Sequence, residues 1–208
     1  MIAAIALTLY TSALVAAFGV RSWVQWHRTG DTGLRLDAGP VGTLRWWAKI
    51  AFLLAILLGF AGPIAALLGL SALSVLDHPS VAIAGSVLAV IGIVMTLLAQ
   101  FAMGTSWRIG VDDSEDTALV TGGPFAVARN PIFTAMAITS AGLTLMVPNL
   151  PAIVGFVALI SALQLQVRRV EEPYLLRTHG SRYRHYAARV GRFLPHLGRL
   201  RFADPAGE

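Results

Sequence analysis

Residues 132–167 read IFTAMAITSAGLTLMV, then PNLP, then AIVGFVALISALQLQV, two apolar runs of sixteen residues without a charge between them. The Pro148-Asn149-Leu150-Pro151 interruption breaks any helix, because two prolines within four residues remove backbone donors and fix φ. Two short apolar helices joined by so tight a turn must lie antiparallel. That hairpin sets the fold class, and three more apolar runs precede it, at residues 2–20, 48–70 and 81–103. A hydrocarbon core of about 30 Å needs roughly 20 helical residues, so all five runs are candidate spans. The second carries Gly62-Pro63 in its interior, where a kink is expected. The expected architecture is an all-α integral membrane protein with five transmembrane helices. The last two form the short hairpin, and an amphipathic helix follows on the cytoplasmic side.

Composition agrees. Of 208 residues, 56% are hydrophobic and only 13% charged, with a mean hydropathy of +0.68. A soluble domain carries about twice that charge. The sequence has 16 basic residues, and every one but Lys49 is arginine. Segment 21–49 holds five, segment 104–130 two and segment 168–208 nine, whereas the loop at 71–80 and the turn at 148–151 hold none. Five crossings put all three basic segments on one side, which the positive-inside rule makes cytoplasmic, with the N-terminus outside. The first span lacks a basic leading region and reads as an anchor rather than a signal peptide. An Arg-dominated, Ala- and Gly-rich composition suggests a GC-rich bacterial source, hence a bacterial plasma membrane. The basic residues are needed at that interface, so no nucleic-acid partner is expected despite a pI near 10.4. Zero cysteines exclude a disulfide scaffold, a thiolate metal site and a cysteine nucleophile. The five histidines show no ligand spacing, and no metal is expected.

The chemistry-bearing residues lie at the basic face. Residues 104–195 are expected to form the cofactor and catalytic region, residues 1–103 a three-helix membrane region, and residues 196–208 a tail, frayed at its end. Gly122-Gly123-Pro124 permits a tight turn and close backbone approach to a ligand. Pro131 suits the first turn of the fourth span, with Asn130 placed to cap it. Arg129 beside that positive helix end either holds a carboxylate or phosphate or snorkels to head groups. Arg168-Arg169-Val170-Glu171-Glu172-Pro173 follows the fifth span. Adjacent helical residues point about 100° apart, so one glutamate can face inward while the other meets solvent or an arginine. Both a buried site carboxylate and an interfacial salt-bridge cluster fit that run. Pro173 is expected to kink the helix just after the pair. Gly180-Ser181 through Val190 reads as a short amphipathic helix, with Tyr183, Tyr186 and Val190 on one face and Arg182 and Arg189 on the other, packed over the bundle.

Taken in order, Leu119-Val120-Thr-Gly-Gly123-Pro124-Phe125, Arg129-Asn130-Pro131-x-Phe133, the hairpin, Glu171-Glu172-x-x-Leu175, Gly180-x-x-Tyr183-x-x-Tyr186 and Pro195 resemble the isoprenylcysteine carboxyl methyltransferase family and, more widely, membrane methyltransferases including phospholipid N-methyltransferases. The resemblance spans about residues 100–195. It implies S-adenosylmethionine as cofactor, bound by Thr117, Ala118, Leu119, Val120, Gly123, Phe125, Arg129, Asn130, Pro131, Ile132, Phe133 and Glu171. It implies catalytic roles for Arg168, Arg169 and Glu172, the arginines as candidates for orienting substrate. Where the family usually shows His and Tyr in Arg-His-Pro-x-Tyr, this sequence has Asn130 and Phe133. The acceptor implied is lipidic or a small hydrophobic molecule, with membrane lipids as surroundings. Two other classes stand beside this reading: an NADPH-dependent membrane reductase of the sterol-reductase type, and a non-enzymatic membrane scaffold using its basic tail on anionic lipids.

Overall fold

The computed structural model describes residues 1–35, 39–108 and 118–202. Among these residues every regular element is helical, apart from an isolated bridge between Ala128 and Gly191. Helix α1 (Ile2–Leu14) passes through a wide π-helical turn, Val15–Val20, into α2 (Arg21–Thr29). Gly30 ends it in the left-handed conformation at φ 74. Helix α3 (Leu44–Leu58) starts at Thr43, whose hydroxyl accepts from the Trp46 N–H. It is followed by α4 (Ala61–Leu67), α5 (Pro79–Ala102), the four-residue α6 (Pro124–Val127), α7 (Pro131–Met146) and α8 (Leu150–Gln166). A second π turn, Val167–Glu171, leads into α9 (Glu172–Arg189).

Four helical stretches are long and apolar enough to cross a membrane: Ile2–Thr29, Leu44–Leu67, Pro79–Ala102 and Leu150–Arg189. This is one fewer than five. The first helix of the hairpin, α7, has 16 residues and so about 24 Å of length, short of a full hydrocarbon core. Length is made up by burial, since α7 packs along α5 at very close range. A Cβ on Gly85 would sit 2.7 Å from the Gly142 carbonyl oxygen, and one on Gly92 would sit 2.5 Å from the Thr139 nitrogen. Helices lacking a hydrophobic drive to associate in lipid gain by such close backbone approach.

Two expectations about helix breaks need correction. The second span does break, but at Gly59-Phe60 rather than at Gly62-Pro63. Pro63 has no N–H to offer the Gly59 carbonyl four residues back, so the interruption falls one turn upstream. Pro173 does not end the helix, because the π turn just before it opens the ladder and leaves Pro173 in the first turn of α9, where no donor is required. The break within α9 comes later, at Gly180, with φ 49 and ψ −121, a conformation that favours glycine.

The hairpin turn is pinned by Asn149, only 1% exposed. Its Oδ1 accepts from the Ala152 N–H at 3.0 Å, and its Nδ2 donates to the Gly62 carbonyl at 2.9 Å. Pro148 O accepts from the Leu73 N–H at 2.8 Å. The two arginine-free loops thus meet at one end of the bundle. At the other end Arg21 donates to the Gly104 carbonyl at 2.7 Å and Lys49 to the Arg35 carbonyl at 2.8 Å. The basic segments converge there, and so does the candidate site.

Candidate functional site

A cavity of about 260 Å³ opens at this basic end. Its floor is the first turn of α7, where Asn130, Pro131, Ile132 and Phe133 all line it. One wall is the chain at Ala118, Leu119 and Val120 with Phe125 of α6, and the opposite wall is α9 with Glu171 at its start. The segments singled out in the sequence, far apart along the chain, therefore face one another across one space. Three of the residues expected there do not. Gly123 shapes the turn into α6 at φ 58 and stays outside the cavity lining. Arg168 and Arg169 are exposed and outside it too, Arg168 donating to Gln164 Oε1 at 2.8 Å. Both stand on the same π turn as Glu171, which does line the cavity. Thr117 lies outside the described residues.

The paired glutamates divide their work. Glu171 Oε1 accepts from Gln166 Nε2 at 3.2 Å, and its second oxygen has no hydrogen-bond partner among the described residues. The pairing depends on the π turn. In an α-helix residues five apart point to different sides, whereas the i→i+5 ladder of a π turn brings them near alignment. Glu172 is 6% exposed and fully engaged. Arg192 binds it through two parallel hydrogen bonds at 2.8 Å, and Arg129 binds its Oε1. The Glu172 carboxylate in turn holds the Arg192 guanidinium in its charged form beyond the usual arginine range.

Arg129 has further tasks. Its guanidinium donates to the carbonyls of Ala187, Val190 and Gly198, and its own N–H to the Gly191 carbonyl at 2.8 Å. It therefore ties the segment after α9 to the start of α7, so it is committed to holding the protein together, and its head-group-snorkelling alternative falls with its burial at 5% exposure. Asn130 also departs from expectation. It precedes α7 but does not cap it with its side chain, which donates to the Arg192 carbonyl at 3.0 Å. The N–H groups of Ile132 and Phe133 in that first turn are thus left uncapped by Asn130 at the cavity floor. Thr134 completes the seam through its hydroxyl to the Phe193 carbonyl at 2.6 Å. On α9, Tyr183 and Tyr186 are buried while Arg182 and Arg189 are exposed, and the Tyr186 hydroxyl donates to the Phe125 carbonyl at 2.6 Å.

Several lining residues were not singled out in the sequence. Lys49 and Arg108 are cations at the cavity, reached from the start of α3 and from the segment after α5. Gln100 and Gln166 stand at the ends of apolar helices, and a polar amide at such a position is a sign of a site that could have been read. Trp107 is 1% exposed, with the buried Arg21 guanidinium stacked 4.6 Å from its ring centre. His179 also lines the cavity, whereas His185 is exposed with its Nδ1 against the Ser181 carbonyl. Among the described residues no cluster of three metal-ligating side chains occurs.

This is an integral membrane helical bundle with a polar-mouthed cavity at one end, built around a helical hairpin and a π turn bearing a carboxylate. Residues 81–182 match the phospholipid methyltransferase family, a region running from α5 through the hairpin into α9. The fold is that of the eukaryotic intramembrane Ras methyltransferase isoprenylcysteine carboxyl methyltransferase, with a TM-score of 0.63 at 18% identity, over 92% of this chain and 67% of that one. Comparison with curated proteins finds no matching relative. The family match and the fold likeness overlap over α5, the hairpin and the start of α9.

Proposed function

We propose that the protein transfers a methyl group from S-adenosylmethionine to a lipidic or small hydrophobic acceptor at the cytoplasmic face of the membrane. The observation that carries this reading is the meeting of Ala118–Val120, Phe125, the first turn of α7 and Glu171 around one cavity, inside the region that matches the phospholipid methyltransferase family. The donor set fits such a cofactor, which brings a carboxylate, an ammonium and a sulfonium. Glu171, with one oxygen unpartnered among the described residues, is the site for positive charge. The N–H groups at the start of α7, which the Asn130 side chain does not cap, are the anion site in this reading. The cofactor would supply an activated methyl on sulfur. The chain's own tasks are to align donor and acceptor and to keep water out, which the aromatic walls Phe125, Phe133 and Trp107 perform. Should the acceptor be an amine or thiol, His179 is the imidazole lining the cavity that would take its proton.

In this reading α7 counts as a fifth crossing, sheltered by α5, and the basic end faces the cytoplasm. Titration calorimetry of the detergent-purified protein with S-adenosylhomocysteine and, separately, NADPH tests it. The first should bind and the second should not; binding of NADPH alone would replace methyl transfer with reduction.

A further inference from the structure

A second, narrow crevice lies at bilayer depth between α1, α3, α5 and α7, and it adjoins the cavity at Phe18 and Met136, which line both. Its walls are apolar apart from Tyr10, Ser140, Thr96 and Thr139. The hydroxyls of the two threonines are already spent on the carbonyls of Gly92 and Ala135. Apart from the Ser140 hydroxyl, the crevice therefore offers a chain apolar contact and length. That length is set by Tyr10. The Tyr10 hydroxyl crosses from α1 to donate to the Ile56 carbonyl at 2.6 Å, in space that exists only because residue 59 is glycine. The ring stands edge-on to Phe60, centroids 4.7 Å apart. Beyond it the molecule is solid, for Tyr10 belongs to a packed cluster with Ala3, Ala6, Leu143, Met146 and Val147.

Building on the methyltransferase reading, we propose that this crevice takes the hydrocarbon tail of the acceptor and that Tyr10 is the stop that limits its length. From Phe18 to Tyr10 is eight residues of helix, about 12 Å, the extended length of roughly ten methylene groups. The occupant follows from adjacency: a head group in the cavity beside Phe133 and Phe18 has this apolar crevice next to it, across Phe18 and Met136. Phe18 stands at the junction on the first π turn, as Glu171 stands on the second.

The test uses the whole purified protein in detergent, loaded with S-adenosylhomocysteine. Two probe series are added, lysophosphatidylethanolamines and S-alkyl-N-acetylcysteines, each with octyl-, decyl-, tetradecyl- and hexadecyl-length saturated chains, and the shift in Tm is read. In the wild type the shift should grow up to the decyl length and then stop growing. In Tyr10→Ala it should keep growing through hexadecyl, with Tyr10→Phe, which keeps the ring, behaving as wild type. The same chain-length profile in wild type and in a folded Tyr10→Ala overturns the assignment, as does a wild type stabilised by none of the chains. Stabilisation by S-adenosylhomocysteine alone, measured first, reports on the methyltransferase reading independently. Its loss with the chain profile intact would sink that reading and leave the tail crevice standing.

Discussion

At the scale of single residues, the site turns on adjacent glutamates given opposite duties. Glu171 keeps an oxygen without a partner among the described residues, so it is available to a ligand; Glu172 has none to spare. Replacing Glu171 by Gln keeps the shape and removes the charge. A hydrogen bond to a charged group is worth about 1.5–3 kcal/mol, so S-adenosylhomocysteine affinity should fall at least tenfold with little change in Tm. Unchanged affinity in calorimetry would remove Glu171 from the site. Glu172→Ala should do the reverse of a local change. It strands two guanidinium groups at a buried seam and should cost about 3–5 kcal/mol, seen as a large drop in Tm. Arg168→Ala and Arg169→Ala, by contrast, should leave both Tm and S-adenosylhomocysteine affinity near wild type, because each side chain is exposed. A tenfold affinity loss in either would return that arginine to the site.

Between residues and the whole stand the joints of the helices. Asn149 serves at once as the N-cap of α8 and as the bond from the hairpin turn to α4. Asn149→Ala removes both and leaves a buried carbonyl at Gly62 without its donor, at a cost of about 2–3 kcal/mol readable in Tm. The hairpin itself was legible, since PNLP between two uncharged apolar runs admits little else. The location of the breaks was less so. A proline tells which carbonyl loses its donor but not whether a wide turn upstream will absorb the change, as at Pro173, or a break will open one turn earlier, as before Pro63. Those outcomes depend on what packs alongside, and Gly62 lies where a Cβ would come within 2.5 Å of the Ala152 Cβ on another helix.

For the molecule as a whole, charge sorting along the sequence anticipated a sorting in space. The arginine-free loops join through Leu73 and Pro148, and the basic segments gather around the cavity at the far end. Since the chain has no cysteine, single cysteines can report its orientation. A cysteine at Ser74 and one at Arg177 should react with a membrane-impermeant maleimide from opposite sides; labelling from the same side would overturn the proposed topology. The parts of the site on α7 and α9 were visible in the sequence because they lie in short, ordered motifs. Lys49 and Arg108 were not, for they reach the cavity only through the way the chain packs. Nor could any local pattern say which of nine arginines in the last segment would fold back onto Glu172, as Arg192 does.

The π turn at Val167–Glu171 amounts to one residue more than a regular helix would need. Such an inserted residue changes the counting for any related chain. A homologue without it would carry its helix on in strict α register, and the side chain presented to the cavity would come from a neighbouring column of an alignment. Within this group of proteins, then, matching letters at the paired glutamates is not the same as matching positions in space, and comparisons of their roles should be made on the helix ladder before the alignment.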